Sequence, residues 1–84
     1  MYYVYILRSL KNNKLYIGQT NNLGRRIEDH NTGCGSKYTR QNGPWILVYS
    51  ESHPDRISAV RREHFLKSTR GSLEKKQLAG TQVS

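Results

Sequence analysis

Two short segments rich in aromatic and β-branched residues open the chain, with a polar stretch between them. They span residues 2–8 and 15–20, and Asn12 and Asn13 lie in the stretch that separates them. Aromatic and β-branched residues favour strands, and asparagine tolerates the left-handed backbone that hairpin turns require. The chain is therefore expected to begin with an antiparallel β-hairpin.

The expected hairpin brings tyrosines to one face of the sheet. A turn centred on Asn12 and Asn13 pairs Ser9 with Tyr16, and directly opposed residues share a face. The residues that then point the same way are Tyr3, Tyr5, Leu7 and Tyr16. Strand tyrosines usually just pack, but a phenol can also bind a nucleophilic water or a phosphate oxygen. To act as a base it must lose a proton whose ordinary pKa is about 10, which requires nearby cations.

Helix and strand signals continue along the chain after the hairpin. Asn21 or Asn22 is placed to cap a helix that Gly33 stops, and a second helix starts at residues 53–55, where Pro54 suits the first turn. The expected elements are a helix at 23–32, a loop at 33–44, a strand at 45–50, a helix from 53 to 68 and, after Ser72, a helix at 73–79. The order ββαβαα predicts an α/β fold of the α+β type, a small three-stranded antiparallel sheet flanked by helices. Residues 1–79 are expected to form one domain, and residues 80–84 a flexible tail.

The first helix carries polar residues beside its apolar stripe. Leu23, Arg26, Ile27 and His30 follow the spacing of one helical face, whereas Arg25 points elsewhere. The guanidinium of Arg26 can hold two phosphate oxygens at once, and a histidine can relay a proton or orient a water. The alternatives are a surface ion pair, which suits Arg25 better, and a buried histidine with a purely structural role.

One carboxylate interrupts the apolar arc of the second long helix. Glu63 lies between Ala59, Val60 and Leu66 on the helical wheel. Mg²⁺ takes one or two protein carboxylates and keeps several waters, so a single inward Glu63 is sufficient for a one-metal site. An ion pair with Lys67, worth about 0.2–0.5 kcal/mol, explains the spacing equally well.

The charge of the chain points to a polyanionic partner. There are 14 Lys and Arg against 6 Asp and Glu, a net charge of +8, which is typical of nucleic-acid binding but also serves solubility. A segment that mixes cations with aromatics suits phosphate contacts and base stacking, although an ordinary solvated loop has the same composition. Its candidate contacts are Lys37, Tyr38, Arg40 and Trp45, with Arg25 and Lys67 from the helices.

The sequence lacks the motifs of several kinds of functional site and the signals of several locations. Cys34 is the only cysteine, so the chain has neither an internal disulfide nor zinc-ligand spacing, and a reducing cytoplasm fits. There is no phosphate-binding Gly-rich loop and no Gly-x-Ser-x-Gly nucleophile motif. No apolar stretch approaches the ~18 residues of a membrane span, and the first residues resemble a strand rather than a signal peptide.

These residues together resemble the GIY-YIG nuclease superfamily. Tyr3-Val4-Tyr5 resembles its first signature and Tyr16-Ile17-Gly18 matches its second; residues 19–30 and 59–67 resemble its arginine- and glutamate-bearing helices. The likeness covers residues 2–68 and is greatest to small standalone bacterial members of the YhbQ-like, UPF0213 type. One departure is Tyr3, which stands where the first signature has glycine.

The resemblance implies a Mg²⁺- or Mn²⁺-dependent endonuclease acting on DNA, either single-stranded or branched, in repair or recombination, with RNA not excluded. It assigns Tyr5 to the attacking water, Tyr16 to the hydrogen bonds nearby, Arg26 to the phosphate, His30 to support of the tyrosine or the phosphate, and Glu63 to the metal. The alternatives are a nucleic-acid-binding module without catalysis and a basic domain that docks on a larger repair complex. The sequence leaves the oligomeric state undetermined.

Overall fold

The computed structural model describes residues 1–32, 41–68 and 70–80 of the chain. The elements that lie wholly within these residues are β1 (Tyr2–Ser9), β2 (Leu15–Thr20), α1 (Leu23–Thr32), β3 (Trp45–His53), α2 (Arg56–Lys67) and α3 (Ser72–Gly80). Their order, ββαβαα, and the three-stranded antiparallel sheet confirm the predicted α+β fold. No helix in the described ranges has the length and apolar character that crossing a membrane requires.

Strand β1 lies at the centre of the sheet, between β2 and β3. Its side chains alternate between the two faces, and both faces are covered by helices. Val4 and Ile6 on one face and Tyr5 and Leu7 on the other are therefore all buried. This explains why β1 is a nearly continuous run of large apolar and aromatic residues.

Two apolar clusters lie on opposite faces of the sheet. On one face, Ala59 and Leu66 of α2 and Ala79 of α3 pack with Val4 and Ile6. On the other face, Leu23 and Ile27 of α1 pack against a cluster formed by Tyr5, Leu7, Trp45 and Tyr16. The tyrosines of both signatures thus share the face that α1 covers.

The hairpin register differs from the prediction by two residues. Tyr16 lies opposite Leu7 rather than Ser9, and Gly18 lies opposite Tyr5. The reason is a turn centred one residue earlier, in which the amides of Lys11 and Asn12 donate to Ser9 Oγ and Asn13 adopts a φ of 62°. Because the shift is even, Tyr5, Leu7 and Tyr16 still share a face, as predicted.

The ends of several elements also differ from the prediction. Strand β3 continues three residues further, to His53, and α2 begins only at Arg56, where Asp55 caps it by accepting from the amide of Ser58. Pro54 therefore precedes the cap and does not lie in the first turn. Helix α3 includes Gly80, which the sequence assigned to the tail.

Candidate active site

A buried hydrogen bond joins β1 to the last turn of α1. Tyr5 Oη lies 3.0 Å from His30 Nε2, and the two residues are 1% and 3% exposed. Asn22 fixes the other end of α1, because its side-chain oxygen accepts from the amide of Arg25 at 3.2 Å. This confirms Asn22 as the cap of α1. It also positions the helix so that His30, seven residues after Leu23, reaches the sheet.

Tyr16 completes an aromatic cluster around this hydrogen bond. Its ring centre lies 4.9 Å from that of His30, in an edge-to-face arrangement, and 6.4 Å from that of Tyr5. The ring centre of Trp45 lies 6.1 Å from that of Tyr16. Rings at these separations attract one another beyond the area that they bury. The predicted tyrosines and histidine are therefore one packed unit.

Gly18 makes room for the phenol of Tyr5. The two residues lie directly opposite each other on β2 and β1, and the tyrosine ring crosses the glycine backbone. A Cβ atom at position 18 would lie 2.6 Å from Tyr5 Cζ and closer still to Oη. The glycine of the second signature is thus required by the position of the tyrosine of the first.

Both partners of the hydrogen bond are uncharged at neutral pH. Burial raises the pKa of Tyr5 well above its ordinary value, and Tyr16 and Glu63 act in the same direction, whereas Arg26 opposes them. Burial, followed by the charge of Arg26, lowers the pKa of His30. With the imidazole proton on Nδ1, Nε2 accepts from Tyr5 Oη; in the other tautomer, Nε2 donates to it. The cation expected to lower the pKa of the tyrosine is present, but burial outweighs it.

The lowered pKa of His30 predicts how stability depends on pH. The unfolded chain binds a proton at His30 near the ordinary pKa of about 6.5, whereas the folded chain resists protonation until a lower pH. We expect the contribution of His30 to stability to be complete above about pH 6.5, and to be lost as the pH falls from there towards the lowered pKa of the folded state. Thermal unfolding across this range, with NMR titration of the His30 ring, measures the effect. A His64→Gln variant, which lacks an exposed imidazole, must show the same dependence of stability on pH. A His30 ring that titrates above about pH 6.5 would contradict the prediction.

Arg26 is exposed at the edge of this cluster. Together with Thr20, Asn21 and Arg25 it lines a shallow cleft at the start of α1. Arg25 thus shares the cleft, although the helical wheel separated the two arginines. Within the described ranges neither makes an ion pair, so the alternative of a surface ion pair finds no support there. The charge of Arg26 reaches the buried pair, since it acts on the pKa of both Tyr5 and His30.

Glu63 and Lys67 form the ion pair that their spacing allowed. Lys67 Nζ lies 2.7 Å from Glu63 Oε2, and the glutamate side chain is only 16% exposed. The ammonium also lies 5.9 Å from the ring centre of Tyr16, and the carboxylate acts on the pKa of Tyr5. The pair therefore belongs to the aromatic cluster, and the two explanations of Glu63 do not exclude each other.

A divalent cation at this site would have a carboxylate as its protein ligand. The described residues contain no group of three or more His, Cys, Asp and Glu that could hold a metal ion. A hard cation such as Mg²⁺ needs only one or two carboxylates, with waters as the other ligands. The donor chemistry of Glu63 thus fits Mg²⁺ or Mn²⁺.

Two groups of predicted nucleic-acid contacts have different outcomes. Trp45 is 2% exposed and packs against Tyr16, so no ring face is free to stack on a base; this prediction is corrected. Asn31 holds the backbone of Trp45 in place, accepting from its amide at 2.7 Å and donating to its carbonyl at 3.1 Å. Nothing in the sequence indicated that role. Lys37, Tyr38 and Arg40 lie outside the described residues.

A second polar cluster, also missed by sequence reasoning, lies on the opposite face of the sheet. Glu51 accepts hydrogen bonds from Tyr49 Oη at 2.6 Å and Arg62 Nε at 3.0 Å, and pairs with His53 Nε2 at 2.6 Å. Arg62 also pairs with Glu74 of α3. Burial raises the pKa of Glu51, but its three partners outweigh burial and lower it. This cluster ties β3, α2 and α3 together.

Comparison with known proteins identifies the family of the chain. A model of the GIY-YIG catalytic domain family matches residues 1–77. The UPF0213 protein CPE1444 of Clostridium perfringens is 52% identical over 67 residues, covering 80% of this chain and 71% of that protein. The UPF0213 protein SH2523 of Staphylococcus haemolyticus is 45% identical, with 80% of each chain covered.

A solved structure has the same fold. The solution NMR structure of the UPF0213 protein BH0048 from Bacillus halodurans superposes with a TM-score of 0.55 at 40% sequence identity, covering 93% of this chain and 85% of that one. The family model, the relatives and the solved structure all indicate the same family. The chain therefore belongs to the GIY-YIG domain family, and within it to the UPF0213 proteins.

Proposed function

We propose that the chain is a metal-dependent endonuclease that hydrolyses phosphodiester bonds in DNA. The observation that carries the proposal is the buried Tyr5–His30 hydrogen bond, which lies beside an exposed arginine and a half-buried glutamate. Membership of the GIY-YIG family supports the same conclusion, since that domain indicates the nuclease superfamily. Phosphodiester hydrolysis needs a proton acceptor for water, positive charge at the phosphate and a metal ligand, and this face of the protein offers all three.

The proton of the attacking water would pass along the buried pair. Tyr5 keeps its own proton at neutral pH, so it can accept another only by releasing the first to His30 Nε2, which requires the tautomer with the ring proton on Nδ1. The water proton would move to Tyr5 Oη as the tyrosine proton moves to the imidazole, and the hydroxide so formed would attack phosphorus. The bond from phosphorus to the leaving oxygen would then break, and that oxygen would take up a proton from solvent. Tyr16, packed against both rings, would hold them in line.

Groups on two sides of the cluster would neutralise the negative charge of the phosphate. Arg26 is free of ion pairs within the described ranges and presents a planar guanidinium, which suits two phosphate oxygens. Glu63 would hold Mg²⁺ or Mn²⁺, which supplies further charge neutralisation when bound. Arg25 and Lys67 would add contacts along the nucleic-acid backbone. Such contacts carry no sequence information, so selection of single-stranded or branched DNA, as in repair or recombination, would follow substrate shape.

One observation favours a binding module without catalysis as the second candidate. The carboxylate of Glu63 already has a cationic partner in Lys67, so the charge balance of the site is complete without a metal. A binding module predicts affinity that falls with salt and does not depend on divalent cations.

The two functions are separated by an assay of cleavage and binding on one set of labelled substrates. We expect wild-type protein to cut at least one of a single strand, a nicked duplex, a flap and a four-way junction in Mg²⁺ or Mn²⁺, and to cut none in EDTA. Activity must co-elute with the protein on size exclusion, which controls for a contaminating nuclease. Binding to all these forms and to RNA, with no cleavage of any, would refute the nuclease proposal.

A further inference from the structure

The ammonium of Lys67 occupies the position of a bound cation next to Glu63, the proposed metal ligand. We propose that its ammonium is the resident counter-ion of Glu63, so that a divalent cation binds only by displacing Lys67, and that this competition sets the metal affinity of the site. The inference rests on the proposed function in taking Glu63 as the metal ligand. It concerns binding alone, and does not require that cleavage follows.

The ion pair is built into one helix face. Glu63 and Lys67 are one turn apart on α2, with the glutamate on the N-terminal side, the favourable orientation of such a pair. The 2.7 Å separation is direct contact, and the carboxylate is 16% exposed. A cation that approaches this oxygen therefore meets a positive charge already in contact with it.

The ammonium has a second contact that keeps it at the site. It lies 5.9 Å from the ring centre of Tyr16, a distance at which the face of an aromatic ring attracts a cation. The lysine side chain is nevertheless 49% exposed, and its ammonium is at the end of a flexible four-carbon stem. The ammonium can therefore swing into solvent without moving α2. Displacement thus costs two contacts but no rearrangement of the backbone.

No other described cation contacts Glu63. Arg62, its neighbour in the chain, is engaged with Glu51 and Glu74. Arg26 acts on Tyr5 and His30 from the side of α1. Removing the charge of Lys67 therefore leaves a half-buried carboxylate without a counter-ion, which increases its attraction for an added cation.

The test measures Mn²⁺ binding in the absence of nucleic acid, by calorimetry and by the loss of the free Mn²⁺ EPR signal. We expect Lys67→Gln to bind Mn²⁺ roughly three- to tenfold more tightly than wild type, and Lys67→Arg, which keeps a charge able to pair with Glu63, to bind like wild type. Lys76→Gln on α3 removes the same charge without touching the pair, so its affinity must stay near that of wild type. Adding Glu63→Gln to Lys67→Gln must abolish the gain. Thermal unfolding in EDTA checks that each variant is folded.

The proposal is overturned if Lys67→Gln binds Mn²⁺ no more tightly than wild type, if Lys76→Gln gains as much, or if no variant binds Mn²⁺. Its failure is distinct from failure of the nuclease proposal. A protein that cuts DNA while Lys67→Gln leaves the affinity unchanged refutes the competition alone. A tighter Lys67→Gln variant in a protein that cuts nothing supports the competition and refutes the nuclease.

Discussion

Replacing Arg26 with alanine is expected to lower the rate of DNA cleavage by about 10²–10³-fold while leaving the fold intact. The side chain is exposed and packs against no cluster in the described residues, so little stability depends on it. Its proposed partner is the phosphate, whose charge increases during the reaction. An interaction that strengthens in the transition state affects kcat rather than binding alone. Single-turnover cleavage at saturating protein isolates this step.

Arg25→Ala provides the matched control, because Arg25 lines the same cleft and carries the same charge. We expect it to weaken binding and increase KM, with a change in kcat of less than about tenfold. Arg26→Lys keeps the charge but loses the planar guanidinium, so it should recover only part of the rate. Equal losses of kcat in Arg25→Ala and Arg26→Ala would show that the cleft contributes general positive charge, and would remove Arg26 from its proposed role.

Replacing Gly18 with alanine is expected to destabilise the protein by about 2–5 kcal/mol and to abolish cleavage. The new Cβ atom would lie 2.6 Å from Tyr5 Cζ, so the tyrosine ring must move. The ring is 1% exposed and its hydroxyl is bonded to His30, so there is no free space to enter and His30 loses its partner. Small domains have about 5–15 kcal/mol of stability in total, which makes this loss large.

Gly24→Ala is the control for this substitution. A Cβ atom at position 24, in the first turn of α1, meets no atom within 4 Å. Alanine favours a helix over glycine by up to about 1 kcal/mol, so this variant should be as stable as wild type or more so. Urea unfolding gives both free energies, and the chemical shifts of the His30 ring report whether its hydrogen bond survives. A Gly18→Ala variant of wild-type stability with an unchanged His30 signal would contradict the predicted clash.

The order of elements could be predicted because its signals are local. The aromatic and β-branched residues of β1 and β2 and the apolar period of α1 can each be recognised within a short stretch of sequence. The end of β3 could not be predicted, since Glu51 and His53 are polar and resemble a turn in the sequence. Only the structure shows that Tyr49, His53 and Arg62 all bind Glu51. The burial of Trp45 could not be predicted either, because it depends on contacts with residues that are distant in the sequence.

The grouping of Tyr5, Tyr16 and His30 on one face could be predicted from the sequence, but their electrostatics could not. Parity across the hairpin placed Tyr5 and Tyr16 together even with the register wrong by two, because only the even or odd value of the shift matters. Whether Tyr5 carries its proton depends on the balance of burial against Arg26, which no spacing reveals. The spacing of Glu63 and Lys67 fitted an ion pair and a metal ligand equally; the structure shows the ion pair, beside the ring of Tyr16.

The cluster around Glu51 has a consequence for the size of a working fragment. Every described residue of the proposed site lies before residue 68, yet Arg62, which adjoins Glu63, is held partly by Glu74 of α3. A chain cut after Lys67 would keep Tyr5, Glu63 and their neighbours but lose Glu74, and with it the cover that Ala79 gives the core. The shortest piece that contains the reacting groups is thus shorter than the shortest piece that holds them in position.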